Sequence, residues 1–496
     1  MSKHGLFIYE EGTALTVPVT GSAGIQVVIG TAPVNMAEDP SAVVNTPILA
    51  NSATEAKQQL GYSTDLKKFT LCQTMYATSN IYQVSPVVYI NVLDPAKHKK
   101  ALAAREVAVS EMQAIVEQEG ILKKGLTVSI PPEVDMEIGD DDEITTFDAT
   151  DLTLGVDYTL DFNADGHLVI TLIAGGAAAM ATKLIVSGYQ LDPDAITKND
   201  IVGSYDPSTG KETGLGVIRQ VYPKLSVVPG LLLAPGWSQV PEVGIALSAK
   251  AANINGVFKA MALIDLDTER AKKYTDCKEV KENSGFNSEF SAILWPSFKV
   301  GEYIFAASAI VGALTSYTDA TNDDVPSISP SNKLLGVTGT CLYDGTEVML
   351  DQDQGSTVNT FGITTAINMN GFRLWGNYTA AYPSSGDAKD IWFPVRRMFN
   401  WQGNNFILTY FTKVDDPMNS VLIESVVDSE NIRCAAYAPD KWAGASIEYL
   451  TEDNPTTDIL AGKMTFRQHI APYTPAQEID NILNYDTETL AAAITG

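Results

Sequence analysis

The sequence predicts an α/β and α+β multidomain protein: a central α/β core, an all-β domain inserted at its periphery, and an extended arm at each end. Three observations predict it. Residues 222–267 read as one β-α-β unit. Residues 111–200 turn to short alternating runs and become acidic. Residues 4–19 alternate in a β-prone way but hold too few apolar side chains to build a core alone.

The β-α-β unit is the clearest signal. Residues 227–234 form an apolar run rich in branched side chains, interrupted by Pro229-Gly230, as suits a strand buried on both faces. Pro235-Gly236 ends it. Pro241 and Glu242 suit a first helical turn, where a missing N–H is no loss. Val243, Ala246, Leu247, Ala251 and Ile254 then share one helical stripe. Asn255-Gly256 is expected to close the helix, since both tolerate a left-handed backbone. Residues 257–264 supply a second buried strand, and the short links imply a parallel crossover.

The remaining elements follow in order. Residues 1–20 are the N-terminal arm. Residues 21–110 open the core, with strands at 25–30 and 87–93, a short helix at 54–60, and a helix or connector at 95–110. Residues 111–200 are the inserted β domain; no lysine or arginine falls between Gly125 and Thr182, whereas acidic residues are dense there. Residues 201–360 continue the core, with a strand at 291–295, a helical stretch at 301–314 and strands in 334–350. Residues 361–460 form a C-terminal domain. Residues 365–378 are strand-like, and 395–413 and 418–429 have helical periodicity. Residues 461–496 give a final strand and arm.

Composition excludes several functions. The formal net charge of -27 lacks the basic footprint a general nucleic-acid binder needs. It also disfavours anionic membrane surfaces, and suits a subunit kept soluble at high copy number. No apolar run reaches the roughly 18 residues of a membrane span. The first residues lack a signal peptide's apolar segment, so retention in the cytoplasm is expected. Cys72, Cys277, Cys341 and Cys434 are far apart and form no C-x-x-C pair, so reduced, buried thiols are expected. His4, His98, His167 and His469 show no ligand spacing.

Catalytic and metal motifs are weak. Gly236-Trp237-Ser238 lies after a strand like a nucleophile elbow, but the fifth position is Val240 rather than glycine. A cytoplasmic α/β hydrolase using Ser238 is the alternative reading. An acidic adhesive module is a third, and needs an export signal that is not evident. Asp161-x-Asn163-x-Asp165-Gly166 imitates the start of a calcium loop, yet its twelfth position is Leu172, and a hairpin turn fits better. Asp351-x-Asp353 resembles a phosphatase pair but meets Gly355 where Thr or Val is expected. No catalytic, cofactor or metal residues are assigned, and no enzyme activity is expected.

Several segments carry a family resemblance. YPKL, VPGLLLAPGWS, AKAANI and FKAMALIDLD resemble the sheath proteins of contractile phage tails and phage-tail-like bacteriocins, most closely those of phages of Gram-positive hosts. GLFIYEEGTALTVPVTGSAGIQVVIGTAPV resembles their N-terminal arm and first strand. LWPSFKVGEYIFAASAIVGALTSYTD and INMNGFRLWGNYT resemble two further segments, the latter with Gly371, Trp375 and Gly376 in family positions. There Thr379 is kept, and Tyr378 stands where the family pattern has arginine. The acidic insertion resembles the variable peripheral domain of some sheaths.

The resemblance implies a mechanism without chemistry. Subunits would form hexameric rings stacked helically around a tail tube, linked by terminal arms that add strands to neighbours' sheets. A baseplate would trigger contraction, and a tail terminator would complete the tail. Nucleic-acid binding and direct membrane insertion are not expected. The particle would be a virion tail or a bacteriocin, assembled in the bacterial host cytoplasm. The resemblance implies arm residues Phe7, Ile8 and Tyr9 at one end, and Ile479, Ile482, Leu483 and Tyr485 at the other. It makes 361–460 the tube-proximal domain, with Arg396, Arg397 and Lys413 as candidate tube contacts.

Overall fold

The computed structural model describes residues 23–132 and 149–495. Phe7, Ile8 and Tyr9 of the expected arm, and the acidic stretch 133–148, lie outside the described residues.

An eight-stranded sheet organises the core. Its strands are β1 (Gln26–Gly30), β2 (Pro47–Ala50), β3 (Val87–Asn91), β4 (Leu231–Leu233), β5 (Met261–Asp265), β6 (Ser291–Leu294), β7 (Ile363–Asn368) and β8 (Phe372–Trp375). They lie in the order β2-β3-β1-β4-β5-β6-β7-β8. The inner pairs are parallel, and β2 and β8 are antiparallel edges. Strands covered on both faces read as nearly continuous apolar runs. Accordingly β1, β3 and β5 are buried at every position. Each fully buried Val, Leu or Ile contributes about 1.5–3 kcal/mol relative to exposure.

The predicted β-α-β unit is present with shorter strands. Leu231 pairs with Met261 and Leu233 with Leu263. Helix α1 (Pro241–Ala252) joins them, with proline in its first turn. Val243, Leu247, Ala251 and Ile254 are buried, as the stripe requires. Asn255-Gly256 does not cap the helix, which stops at Ala252. Their φ angles of 57° and 81° instead make a tight turn, across which Ile254 and Phe258 exchange backbone hydrogen bonds. Two successive positive φ values are the type I′ signature of Asn-Gly.

Helix α2 (Ala307–Ala320) packs on β1, β4 and β5. It starts later than the periodicity predicts, because Tyr303–Phe305 pairs as a strand with Ser297–Val300. Its Gly312 is required by close approach: a Cβ there would sit 2.5 Å from Leu233. Helix α3 (Gln352–Thr360) explains the Asp-x-Asp pattern, because Asp351 caps it by accepting from the Gln354 N–H at 2.8 Å.

The insertion is a seven-stranded antiparallel sheet with its own apolar centre, including Ala114, Val116, Ile121, Leu168, Ile170, Leu184 and Val186. It runs from Lys99 to Leu191, so the expected helix or connector at 95–110 is in fact its long strand Lys99–Ser110. The segment KKALAAREVAVS is rich in helix formers, and pairing with Lys183–Leu191 and Gln113–Val116 overrides that propensity. Asn163 to Gly166 is the hairpin turn expected. The Asn163 Oδ1 accepts from the N–H groups of Asp165 (3.1 Å) and His167 (2.9 Å).

The two long helices after the core sheet are α4 (Phe393–Tyr410) and α5 (Ser420–Ala436), with a two-stranded sheet of Trp442–Glu448 and Arg467–Pro472 among the described residues. Both helices exist near their expected positions with shifted ends. Asn404 fastens α4 to the core, accepting from the Lys259 N–H (3.0 Å) and donating to its carbonyl (2.7 Å). All four cysteines are free and buried.

Candidate functional site

Open parallel sheets offer a ligand crevice where strand order reverses at their carboxyl ends. Here the reversal lies between β1 and β4, and the protein fills it with its own chain. A Cβ on Gly30 would stand 2.2 Å from the Thr70 Oγ1, and one on Gly236 3.2 Å from the Thr70 Cγ2. Thr70 is fixed by its N–H donating to Thr31 Oγ1 at 3.0 Å.

Beside it, a cavity of about 540 Å³ opens at the ends of β4 and β5, bordered by Gln239, Glu242, Asp265, Asp267, Arg270 and Tyr343. Ser238 does not face it as a nucleophile. The residue is fully buried, and its hydroxyl donates to Asp265 Oδ2 at 2.8 Å while accepting from the Asp265 N–H at 2.9 Å. The same carboxylate takes the Ser308 N–H (2.8 Å) and hydroxyl (2.6 Å) at the start of α2. Burial pushes the Asp265 carboxyl up from its ordinary value, against the pull of the Ser308 and Ser238 hydrogen bonds. Among the described residues, no histidine lines the cavity. Ser238 is therefore a clamp between β5 and α2, and nothing in its geometry supports the hydrolase reading.

Two of the three candidate tube-contact residues are engaged inside the subunit. Arg396 is buried, donates to Asp390 at 3.0 Å and lies over the Phe290 ring. Arg397 is 2% exposed and grips Asp319 of α2 with both terminal nitrogens, while also donating to the Ala23 carbonyl at 3.1 Å. Burial pushes the Asp319 carboxyl up, although Arg397 pulls it back. The arginine doublet reads as surface charge in the sequence; its buried carboxylate partner is far away in the chain and invisible there. Lys413 does reach the surface, at the tip of the α4–α5 hairpin, 3.9 Å from Asp416.

The structure adds features that sequence reasoning missed. Exposed Phe411, Val414 and Val421 cluster in sequence around that tip. The signal was Phe411, Val414, Met418 and Val421 spaced through the mostly polar FTKVDDPMNSV linker. Deeper in the same domain, Glu430 joins α5 to α4 and to Arg467–Pro472. It accepts from Gln402 (2.6 Å), Gln468 (2.9 Å) and Arg433 (3.1 Å). Burial alone would push its carboxyl up, but Arg433 and the two amides hold it below the ordinary value.

The two-stranded sheet has unequal edges. On Trp442–Glu448, the Asn431 side chain bonds both the N–H (2.9 Å) and the carbonyl (3.0 Å) of Ile447, as a neighbouring strand would. Arg467–Pro472 has no strand on its outer side among the described residues. Beyond it, Ile479, Ile482, Leu483 and Tyr485 are 77–87% exposed. Side chains of that size seldom stay in water without a partner surface.

No family model matches the chain. The tail sheath protein of Burkholderia phage BcepMu is 28% identical over 85% of this chain and 85% of its own length. That of Escherichia phage P2 is 24% identical over 58% of this chain and 70% of its own. Among solved structures, the contracted sheath of the extracellular contractile injection system PVC aligns with a TM-score of 0.56 over 99% of both chains, at 13% identity. The contracted helical sheath of the anti-feeding prophage aligns with a TM-score of 0.54 over 98% of this chain and 100% of that one, at 14% identity. The chain is thus similar in sequence to tail sheath proteins along most of its length, and similar in fold to contractile sheath chains along nearly all of it.

Proposed function

We propose that this chain is the repeating subunit of a contractile tail sheath, stacked as hexameric rings around a tail tube and contracting to drive that tube through a target envelope. The observation that carries the reading is the shared likeness to sheath chains along 85% of the sequence. Its partners are further copies of itself, a tail tube protein, and baseplate and terminator proteins. Its place is the tail of a virion or bacteriocin particle, assembled in the host cytoplasm. The Gram-positive kinship rests on sequence resemblance alone.

The assembly surfaces in this reading are an open strand edge, the two terminal segments and a helical tip. The open edge of Arg467–Pro472 accepts a strand from a neighbour, which satisfies backbone groups that otherwise face water. The donors are the arm with Phe7, Ile8 and Tyr9, and the segment with Ile479, Ile482, Leu483 and Tyr485. The α4–α5 tip, with Lys413 beside Phe411 and Val414, faces the tube. Contraction is favourable when it removes more apolar surface of this kind from water. Electron microscopy of the purified chain tests the reading: hollow striated cylinders are expected. A chain lacking residues 1–19 is expected to stay folded and form none; cylinders from that truncation would remove the arm from the mechanism.

A further inference from the structure

After Arg467–Pro472 the chain runs without regular structure to the helix Thr487–Thr495. Tyr473 is fixed by its hydroxyl donating to the Pro439 carbonyl at 2.9 Å. From 474 to 485, Gln477 is the one side chain that makes a hydrogen bond, among the described residues. Its amide donates to the Tyr378 hydroxyl at 3.0 Å, and its carbonyl accepts from Asn377 at 3.5 Å. Residues 475–480 thereby roof an open groove of about 800 Å³ walled by Ser331, Gln352, Asn359, Trp375 and Tyr378.

The post beneath Gln477 is rigid. Tyr378 stacks on Tyr382, with ring centroids 3.8 Å apart and planes 5° apart, and on Trp392 at 4.8 Å. The Tyr382 carbonyl is held by the buried Lys281 ammonium at 2.8 Å, which also donates to the Phe361 carbonyl at 2.7 Å. A firm post thus meets a strap that touches it at one exposed side chain.

We propose that the Gln477–Tyr378 contact is a releasable latch. It holds the C-terminal segment over the subunit's own groove in the free chain, and yields when that segment pairs with a second copy of the chain. The proposal rests on the assembly reading above. The exposed Tyr378 hydrogen bond, with the longer Asn377 one beside it, favours the closed strap only about two- to tenfold. Strand pairing supplies several backbone hydrogen bonds at once and outweighs it. The closed strap leaves Ile479, Ile482, Leu483 and Tyr485 in water, so their burial is still available to a partner.

Amide hydrogen exchange on the full chain, with Tyr378→Phe and Gln477→Ala, tests the latch. Tyr378→Phe keeps the ring stack and removes only the hydroxyl. Both variants are expected to raise exchange at 474–480 roughly two- to tenfold, and to leave residues 23–25 unchanged. Exchange at 474–480 as fast as at 481–485 in the parent chain, or unaltered by either substitution, would overturn the latch. Truncation after Pro472 separates this from the assembly reading. Polymers formed by the truncated chain would remove the segment from assembly. Loss of polymers with no exchange effect in the point variants would remove the latch alone.

Discussion

The two roots by which the terminal segments join the body are built in opposite ways. At the N-terminal root, the Ala23 carbonyl accepts from Arg397, and the Gly24 carbonyl from the Ser316 hydroxyl. Arg397 is itself locked to Asp319, with both side chains 0–2% exposed. The backbone just before β4 closes over the same root: a Cβ on Gly230 would fall 2.0 Å from the Ala23 carbonyl. At the C-terminal root, the exposed Gln477 amide meets Tyr378 at 3.0 Å and Asn377 at 3.5 Å. Polar contacts gain strength away from water, and groups left unpaired there cost most. A pull at Ala23 is therefore passed to α2 and α4, whereas a pull at Gln477 breaks two side-chain hydrogen bonds and leaves the fold alone.

Substitutions grade this contrast. Arg397→Met should have the largest effect, because it strands the buried Asp319 carboxylate; a loss of about 3–5 kcal/mol is expected in denaturant unfolding. A loss below ~1 kcal/mol would mean the N-terminal root is not held by the ion pair. Pairing Arg397→Met with Asp319→Leu should recover much of it, since no charge is then left buried.

Lys281, which braces the post under the C-terminal root, gives the next effect through pH. Burial pushes its ammonium down from 10.5 to about 8, against the smaller opposing influence of Glu282. Between those values the unfolded chain holds the proton that the native state has lost. Stability from this group is therefore full above 10.5 and falls as pH drops through about 8, by at most ~3 kcal/mol. Lys281→Met should flatten that part of the stability–pH curve; an unchanged slope would disprove the assignment.

Ser238→Ala serves as a control distant from both roots. It removes one of the hydroxyls on Asp265 and should cost about 1 kcal/mol in thermal unfolding while leaving polymer formation intact. Loss of polymers at unchanged stability would reopen a functional role for this serine. Gln477→Ala should have the smallest effect on global stability, within about 0.5 kcal/mol, despite its local effect on exchange. A larger loss would make the C-terminal root structural, and erase the contrast.

Much of the core was legible because its signals are local. Apolar runs at 25–30, 87–93 and 257–264 announce strands buried on both faces, and the stripe from Val243 to Ile254 announces α1. The Asn163–Gly166 turn was legible for the same reason. The strand Lys99–Ser110 was not: its propensity favours a helix, and its partners Lys183–Leu191 lie about 80 residues away. Asn255-Gly256 signalled a left-handed backbone correctly, but whether that closes a helix or turns a hairpin depends on Phe258 returning to Ile254.

The family resemblance and the acidic, motif-poor composition were determined by the sequence itself, because segment order and charge need no partner to be read. The roles of individual charged and polar side chains were decided only by the tertiary structure. Arg396 and Arg397 are indistinguishable from surface cations until Asp390 and Asp319 are placed beside them. Ser238 resembles a nucleophile until Asp265 and Ser308 consume its hydroxyl. A side chain's residue type sets what it can donate or accept, but burial and long-range pairing decide whether any of that capacity is left over for another molecule.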